Sequence, residues 1–160
     1  MKLKNLGKTN LLISPYCLGT MTFGETTGEK DAHKQINECL DVGINFLDTA
    51  EMYPTCPIRK ETTGATEEII GNWIYKNKSK RKDIILATKV VGNGFKFIRD
   101  GGEINRKTIH LALEKSLKKL KTDYIDLYQL HWPERITNTF GNRSFQYIKD
   151  SWEDNFKEIL

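Results

Sequence analysis

The feature that most restricts the fold of this chain is a rhythm. Four short apolar runs, "YCLGTM", "INFLD", "DIILATK" and "YIDLYQLH", alternate with longer stretches of helical period. "DIILATK" is almost continuously apolar, the pattern of a parallel strand covered on both faces. After the first run, "DAHKQINECLDVG" places Ala32, Ile36, Cys39 and Leu40 on one helical face and stops at Gly43, a natural left-handed C-terminal position. After the second, Thr66 is placed to cap a helix whose first turn carries Glu67 and Glu68 and whose apolar stripe is Ile69, Ile70, Trp73 and Ile74. Residues 105–121 predict a third helix, with Ile109, Ala112, Leu113, Ser116, Leu117 and Leu120 at helical spacing, and "SWEDNFKEIL" begins a fourth. Ahead of all this, "KLKNL" and "NLLIS" flank Gly7, Lys8 and Thr9 and predict a β-hairpin. The order is a hairpin followed by four βα units, which predicts a parallel sheet with right-handed crossovers. The pattern leaves open whether that sheet is doubly wound or part of a barrel.

Composition narrows the class. A chain of 160 residues with 38% hydrophobic residues suits one soluble domain, and no low-complexity linker divides it. The apolar runs are short, such as residues 84–87, so no membrane span is expected. The N-terminal "MKLKNLGKTN" lacks the apolar core of a secretory signal, which points to the cytoplasm. Cys17, Cys39 and Cys56 lack the spacing of a zinc site and are an odd number, as expected of reduced thiols; no metal site is expected. The net charge of +4 is spread along the chain, and its densest cluster, "KNKSKRK" at 76–82, joins a helix end to a strand. A solvated helix C-terminus explains that cluster better than nucleic-acid binding does.

The polar residues at the strand ends carry the functional information. Thr20 follows the first strand, Asp48 ends the second, Lys89 the third and His131 the fourth. One βα unit separates each from the next, so all emerge on the C-terminal rim of the sheet, where a (β/α) barrel builds its active site. Singly, each has a plain explanation: a hydrogen-bonded structural histidine, a lysine reaching water, an aspartate capping the turn over 49–52. Together they form a coherent set with Tyr53. A phenol has a reference pKa of about 10 and donates a proton poorly at neutral pH unless a cation stabilises the phenolate. Lys89 can supply the cation, Asp48 its counter-charge, and His131 a hydrogen bond to a substrate oxygen. Such a set suits carbonyl reduction by a hydride from a cofactor, and it contains no serine or cysteine nucleophile for acyl transfer.

"LGTMTFG", "FLDTAEMY", "ATK" and "TDYIDLYQLHWP", in that order, resemble the aldo-keto reductases, in particular their bacterial Tas-like branch, which "AEMYP", "EEIIGNW" and "HWPERITNTFG" also resemble. The resemblance implies the N-terminal half of a (β/α)8 TIM barrel, its bottom closed by the hairpin, with a catalytic tetrad of Asp48, Tyr53, Lys89 and His131. It implies NADP(H) across the rim, near Gly19, Thr20, Met21, Thr22 and Asp48, and a small carbonyl substrate beside Tyr53, His131 and Trp132. The segments 54–65 and 132–147 are expected to border the pocket. A full barrel takes about 250 residues, and the family's remaining cofactor contacts belong to the four units beyond this sequence. Open edges on the first and last strands are therefore expected to favour self-association or a complementary half barrel. The family also includes potassium-channel β subunits, so a non-catalytic binding or regulatory module, or a plain half-barrel fragment, stands as the alternative to an oxidoreductase.

Overall fold

The structure is a computed structural model and describes residues 1–132. The helix expected at "SWEDNFKEIL" and nearly all of the segment 132–147 lie outside the described residues. Strands β1 (Lys4–Asn5) and β2 (Leu12–Ile13) pair antiparallel as the hairpin, with Lys4 opposite Ile13. Then follow β3 (Cys17–Gly19), α1 (Glu29–Asp41), β4 (Phe46–Asp48), α2 (Ala65–Lys76), β5 (Ile85–Val90), α3 (Arg106–Leu120) and β6 (Leu127–Leu130). Strands β3 to β6 form one parallel sheet in sequence order. Among the described residues, no helix is long and apolar enough to cross a membrane.

Local chemistry explains where the helices begin and end. Past α1, Gly43 has φ 84° and donates to Leu40 O (2.9 Å), while Ile44 N–H reaches Cys39 O (2.8 Å). Those two bonds form a Schellman motif, which requires the left-handed residue that glycine supplies without strain. At the start of α3, Asn105 Oδ1 accepts from Thr108 N–H (3.0 Å) and Thr108 Oγ1 accepts from Asn105 N–H (2.9 Å), a capping box.

Helix α2 departs from the sequence expectation. Its N-cap is Gly64, not Thr66. Thr66 is fully buried inside the first turn and donates to Phe23 O (2.7 Å), tying α2 to the loop after β3. Tertiary packing thus claimed the hydroxyl that local capping would have used. Glu67 is likewise buried, at 1% exposure, and accepts from Thr88 Oγ1 (2.7 Å) on β5. Burial pushes its carboxyl up from the ordinary range.

The core lies between the sheet and the helices. Leu47 and Leu86, on the helix-facing side, pack with Phe23, Ile36, Ile70, Trp73 and Leu120. Trp73 buries its ring and donates Nε1–H to Asn37 Oδ1 (3.1 Å). In α3, Ala112, Ser116 and Leu120 are buried, whereas Ile109, Leu113 and Leu117 are only half-buried. Of the basic cluster, the lysines are exposed, but Arg81 is buried. Its guanidinium pairs with Asp126 Oδ2 (2.8 Å) and lies 3.8 Å over the Tyr124 ring. Asp126 also accepts from Leu86 N–H (2.9 Å), so this pair anchors the bottom of β6 to β5.

The other side of the sheet is less covered. Phe46, Ile85 and Leu127 are half-buried there, and Cys17 is exposed. On this side, too, stand Asp48, Lys89 and Gln129.

Candidate active site

Strand register brings the rim residues together. Gly19 faces Asp48 across β3 and β4, Asp48 faces Ala87 across β4 and β5, and Lys89 faces Gln129 across β5 and β6. Lys89 therefore stands two residues beyond the partner of Asp48, on the same face because side chains alternate along a strand. That stagger lets the ammonium reach back over the end of β4. Lys89 Nζ donates to Asp48 Oδ2 (2.5 Å) and to Thr49 O (2.8 Å). It lies 3.4 Å from the Tyr53 hydroxyl. Asp48 uses its carboxylate here and not as the cap of the turn that follows.

Tyr53 is 9% exposed and sits on a loop closed by hydrogen bonds from its own N–H to Ala50 O (3.1 Å) and from Gly64 N–H to Tyr53 O (2.8 Å). His131 comes directly after β6, and its N–H donates to Val90 O (2.9 Å), extending the ladder by one residue. The His131 ring meets the Tyr53 ring edge-on, with centroids 5.6 Å apart. Burial, then the Lys89 ammonium, push the imidazole down to about 4 against the opposing pull of Asp48. At neutral pH it is uncharged and offers one N–H. Its buried Nδ1 has no hydrogen-bond partner among the described residues. The Trp132 ring packs tilted beside the imidazole, with centroids 5.0 Å apart, and Phe95 meets Trp132 at 6.1 Å. Tyr53, Met52, Val91 and Ile98 form an apolar cluster on which Ile58, Phe95 and Trp132 pack. Ile58 is thus the member of segment 54–65 that joins this wall.

The residues expected near a cofactor divide. Beside Asp48, no atom of the described residues lies within 4 Å of where a Gly19 Cβ would stand, and Met21 is 44% exposed. Thr20, in contrast, is fully buried and donates its hydroxyl to Asp48 O (2.8 Å), fixing the ends of β3 and β4 together. Thr22 turns away, with its hydroxyl paired to Thr27 Oγ1 (3.2 Å). Among the described residues the rim thus has an open floor beside Asp48, and the donor set of phenol, ammonium and neutral imidazole fits a nicotinamide-linked carbonyl reduction.

Three residues of the site escaped the sequence reading. Gln129 Nε2 donates to Asp48 Oδ1 (3.1 Å), so Asp48 is held from two strands. A period-two count back from His131 puts Gln129 on the inner face, a signal that was present. Glu51 and Arg99 form a buried ion pair at the same rim. Nothing in the local pattern marks either one, because they pair across 48 residues.

Known proteins share this sequence pattern and its βα order. The sequence profile of the Aldo/keto reductase family matches residues 15–159. Protein tas of Escherichia coli is 47% identical over 97% of this chain, and a probable voltage-gated potassium channel subunit beta of Arabidopsis thaliana is 36% identical over 94%. The chain spans 44% and 43% of the lengths of these two relatives. Among solved structures, the aldo-keto reductase AKR11C1 of Bacillus halodurans in its holo form superposes with a TM-score of 0.65 at 40% identity, covering 81% of this chain and 40% of that one. The match along nearly the whole sequence and the superposition of the parallel βα units lead to one conclusion: the chain belongs to the aldo/keto reductase family.

Proposed function

We propose that this chain carries the proton-donating set of an NADPH-dependent oxidoreductase that reduces aldehydes or ketones to alcohols, with Tyr53 as general acid. The observation behind this reading is the Tyr53 hydroxyl lying 3.4 Å from a Lys89 ammonium that Asp48 holds at 2.5 Å. Family members typically depend on NADP(H), and the cofactor, when bound, supplies the hydride. Gly19, Met21 and Asp48 would border it, while Thr20 fixes the floor on which it rests. The substrate carbonyl oxygen is placed between the Tyr53 hydroxyl and the single N–H of neutral His131. As the carbonyl carbon gains its hydride, Tyr53 passes its proton to that oxygen, and the alcohol forms. The phenolate left behind is stabilised by the charge of the Lys89 ammonium, 3.4 Å from the hydroxyl of the nearly buried Tyr53, where such an interaction is stronger than in bulk solvent. Asp48, steadied by Gln129, keeps the ammonium there. Trp132 and Phe95 wall the substrate side.

The test uses the purified chain and its Tyr53→Phe variant. NADPH binding is followed by the cofactor's fluorescence, and turnover by consumption of NADPH with an aldehyde probe. Tyr53→Phe is expected to leave binding in place and to lower turnover on the order of 100-fold or more. Absent binding, or turnover equal in the two proteins, sinks the proposal. Tight binding with no turnover in the parent instead favours a non-catalytic binding or regulatory module, the class to which the Arabidopsis relative's name belongs.

A further inference from the structure

One buried ion pair at the rim touches none of the reacting side chains, yet links the loop that carries Tyr53 to the strand that carries Lys89. Glu51 lies between Asp48 and Tyr53, and its N–H donates to Lys89 O (3.2 Å). Its Oε1 accepts from Val91 N–H (2.5 Å), and its Oε2 accepts from Arg99 Nη1. Arg99 Nη2 in turn donates to Val91 O (2.5 Å). The pair therefore grips both backbone groups of Val91, two residues past Lys89. The two side chains are only 10% and 6% exposed, so neither charge has water to fall back on if its partner is lost. Arg99 and Asp100 both hold left-handed backbone, at φ 48° and 57°, a conformation that side-chain-bearing residues rarely adopt and that persists where surrounding contacts over-determine it. The adjoining Ile98 packs into the cluster that contains Tyr53 and Val91.

We infer that Glu51 and Arg99 are positioning residues for the proton donor: by clamping the Tyr53 loop to β5 beyond Lys89, they hold the Tyr53 hydroxyl against the ammonium. This rests on the reading of Tyr53 as general acid. A merely local tether for the loop over 92–104 would affect stability alone. A positioning role changes the chemical step, because small misplacements at a reacting centre are costly in rate.

The experiment compares the full chain with Glu51→Gln, Arg99→Met and Arg99→Lys, using NADPH and benzaldehyde as probes. The first two are expected to lower kcat about 10- to 100-fold with little change in KM for NADPH. Arg99→Lys, which still offers a cation to Glu51, is expected to recover part of the loss, and it decides the matter if the others do not fold. In parallel, carbon-13 labelled tyrosine is observed by NMR, with Tyr53 assigned through Tyr53→Phe. The Tyr53 ring signal is expected to move in Glu51→Gln and Arg99→Met and to return toward its parent position in Arg99→Lys. Unchanged kcat, or a fall in kcat with the Tyr53 signal unmoved, overturns the inference. A parent without turnover whose Tyr53 signal still responds to the clamp sinks the general-acid reading and leaves the positioning role standing.

Discussion

At the scale of single residues, His131 is the reporter that nature has placed inside the site. Its imidazole is pushed down to about 4 from the ordinary 6.5 by burial first, then by Lys89, with Asp48 pulling the other way. Each neighbour therefore has a signed effect. Lys89→Met removes a repelling charge and is expected to raise the His131 titration point, while Asp48→Asn removes an attracting one and is expected to lower it. NMR titration of the His131 ring reads both directly, and a shift of the wrong sign in either variant would show that the ammonium and carboxylate do not sit where the hydrogen bonds place them. The same depression links to stability. The unfolded chain takes up the His131 proton near 6.5 and the folded chain only near 4, so stability falls as pH drops through that window. The neutral form is also the one the proposed mechanism needs, since it carries a single N–H to orient a carbonyl oxygen.

At the scale of elements, the crossing of α2 and α3 is set by Gly71. A Cβ there would stand 2.0 Å from Lys119 O and 2.9 Å from the Leu120 backbone. Gly71→Ala sets two effects against each other. Helix propensity favours alanine by up to about 1 kcal/mol, whereas forcing a methyl against backbone costs about 1–3 kcal/mol. The obstacle is main chain rather than a flexible side chain, so the clash wins, and denaturant unfolding is expected to show a net loss of stability; a stabilised variant would mean that the helices do not approach so closely. Such comparisons also explain what the sequence could reveal. The four parallel strands and the three helices between them were legible because burial imposes a period of two on strands and 3.6 on helices, and Gly43 was legible because its chemistry is local. Thr66 fails as a cap for the opposite reason: local rules favour its hydroxyl there, but a contact to Phe23 takes it, and Glu67, in the first turn as expected, is buried against Thr88. Asp48, Tyr53, Lys89 and His131 could be found because regular strand spacing brings them to one rim. Gln129 and the Glu51–Arg99 pair depend on register and loop path, which a linear pattern does not encode.

At the scale of the whole molecule, the two faces of the sheet differ. The helix side is sealed by Leu47, Leu86, Trp73 and Ile70 at 0–1% exposure, while across the sheet Phe46, Ile85 and Leu127 keep contact with solvent. Among the described residues, β3 and β6 are the edges of the four-stranded sheet, and open edges beside half-covered apolar side chains favour pairing with another chain. A second copy of this chain brings the same two edges and the same face, so we expect self-association that grows with concentration. Light scattering coupled to size exclusion is the measurement: a mass above 18.5 kDa that rises with loading is the expected outcome. Leu127→Lys, on the inner face of β6, is expected to shift the population toward the monomer by placing a charge where the partner would pack. A constant monomer mass across the soluble range, in both parent and variant, would mean that the inner face needs no cover. If association holds, measuring NADPH binding along the same dilution series separates two physical cases. Affinity that falls with dissociation would place part of the cofactor site on the second copy, whereas constant affinity would confine it to the rim built by Gly19, Met21 and Asp48.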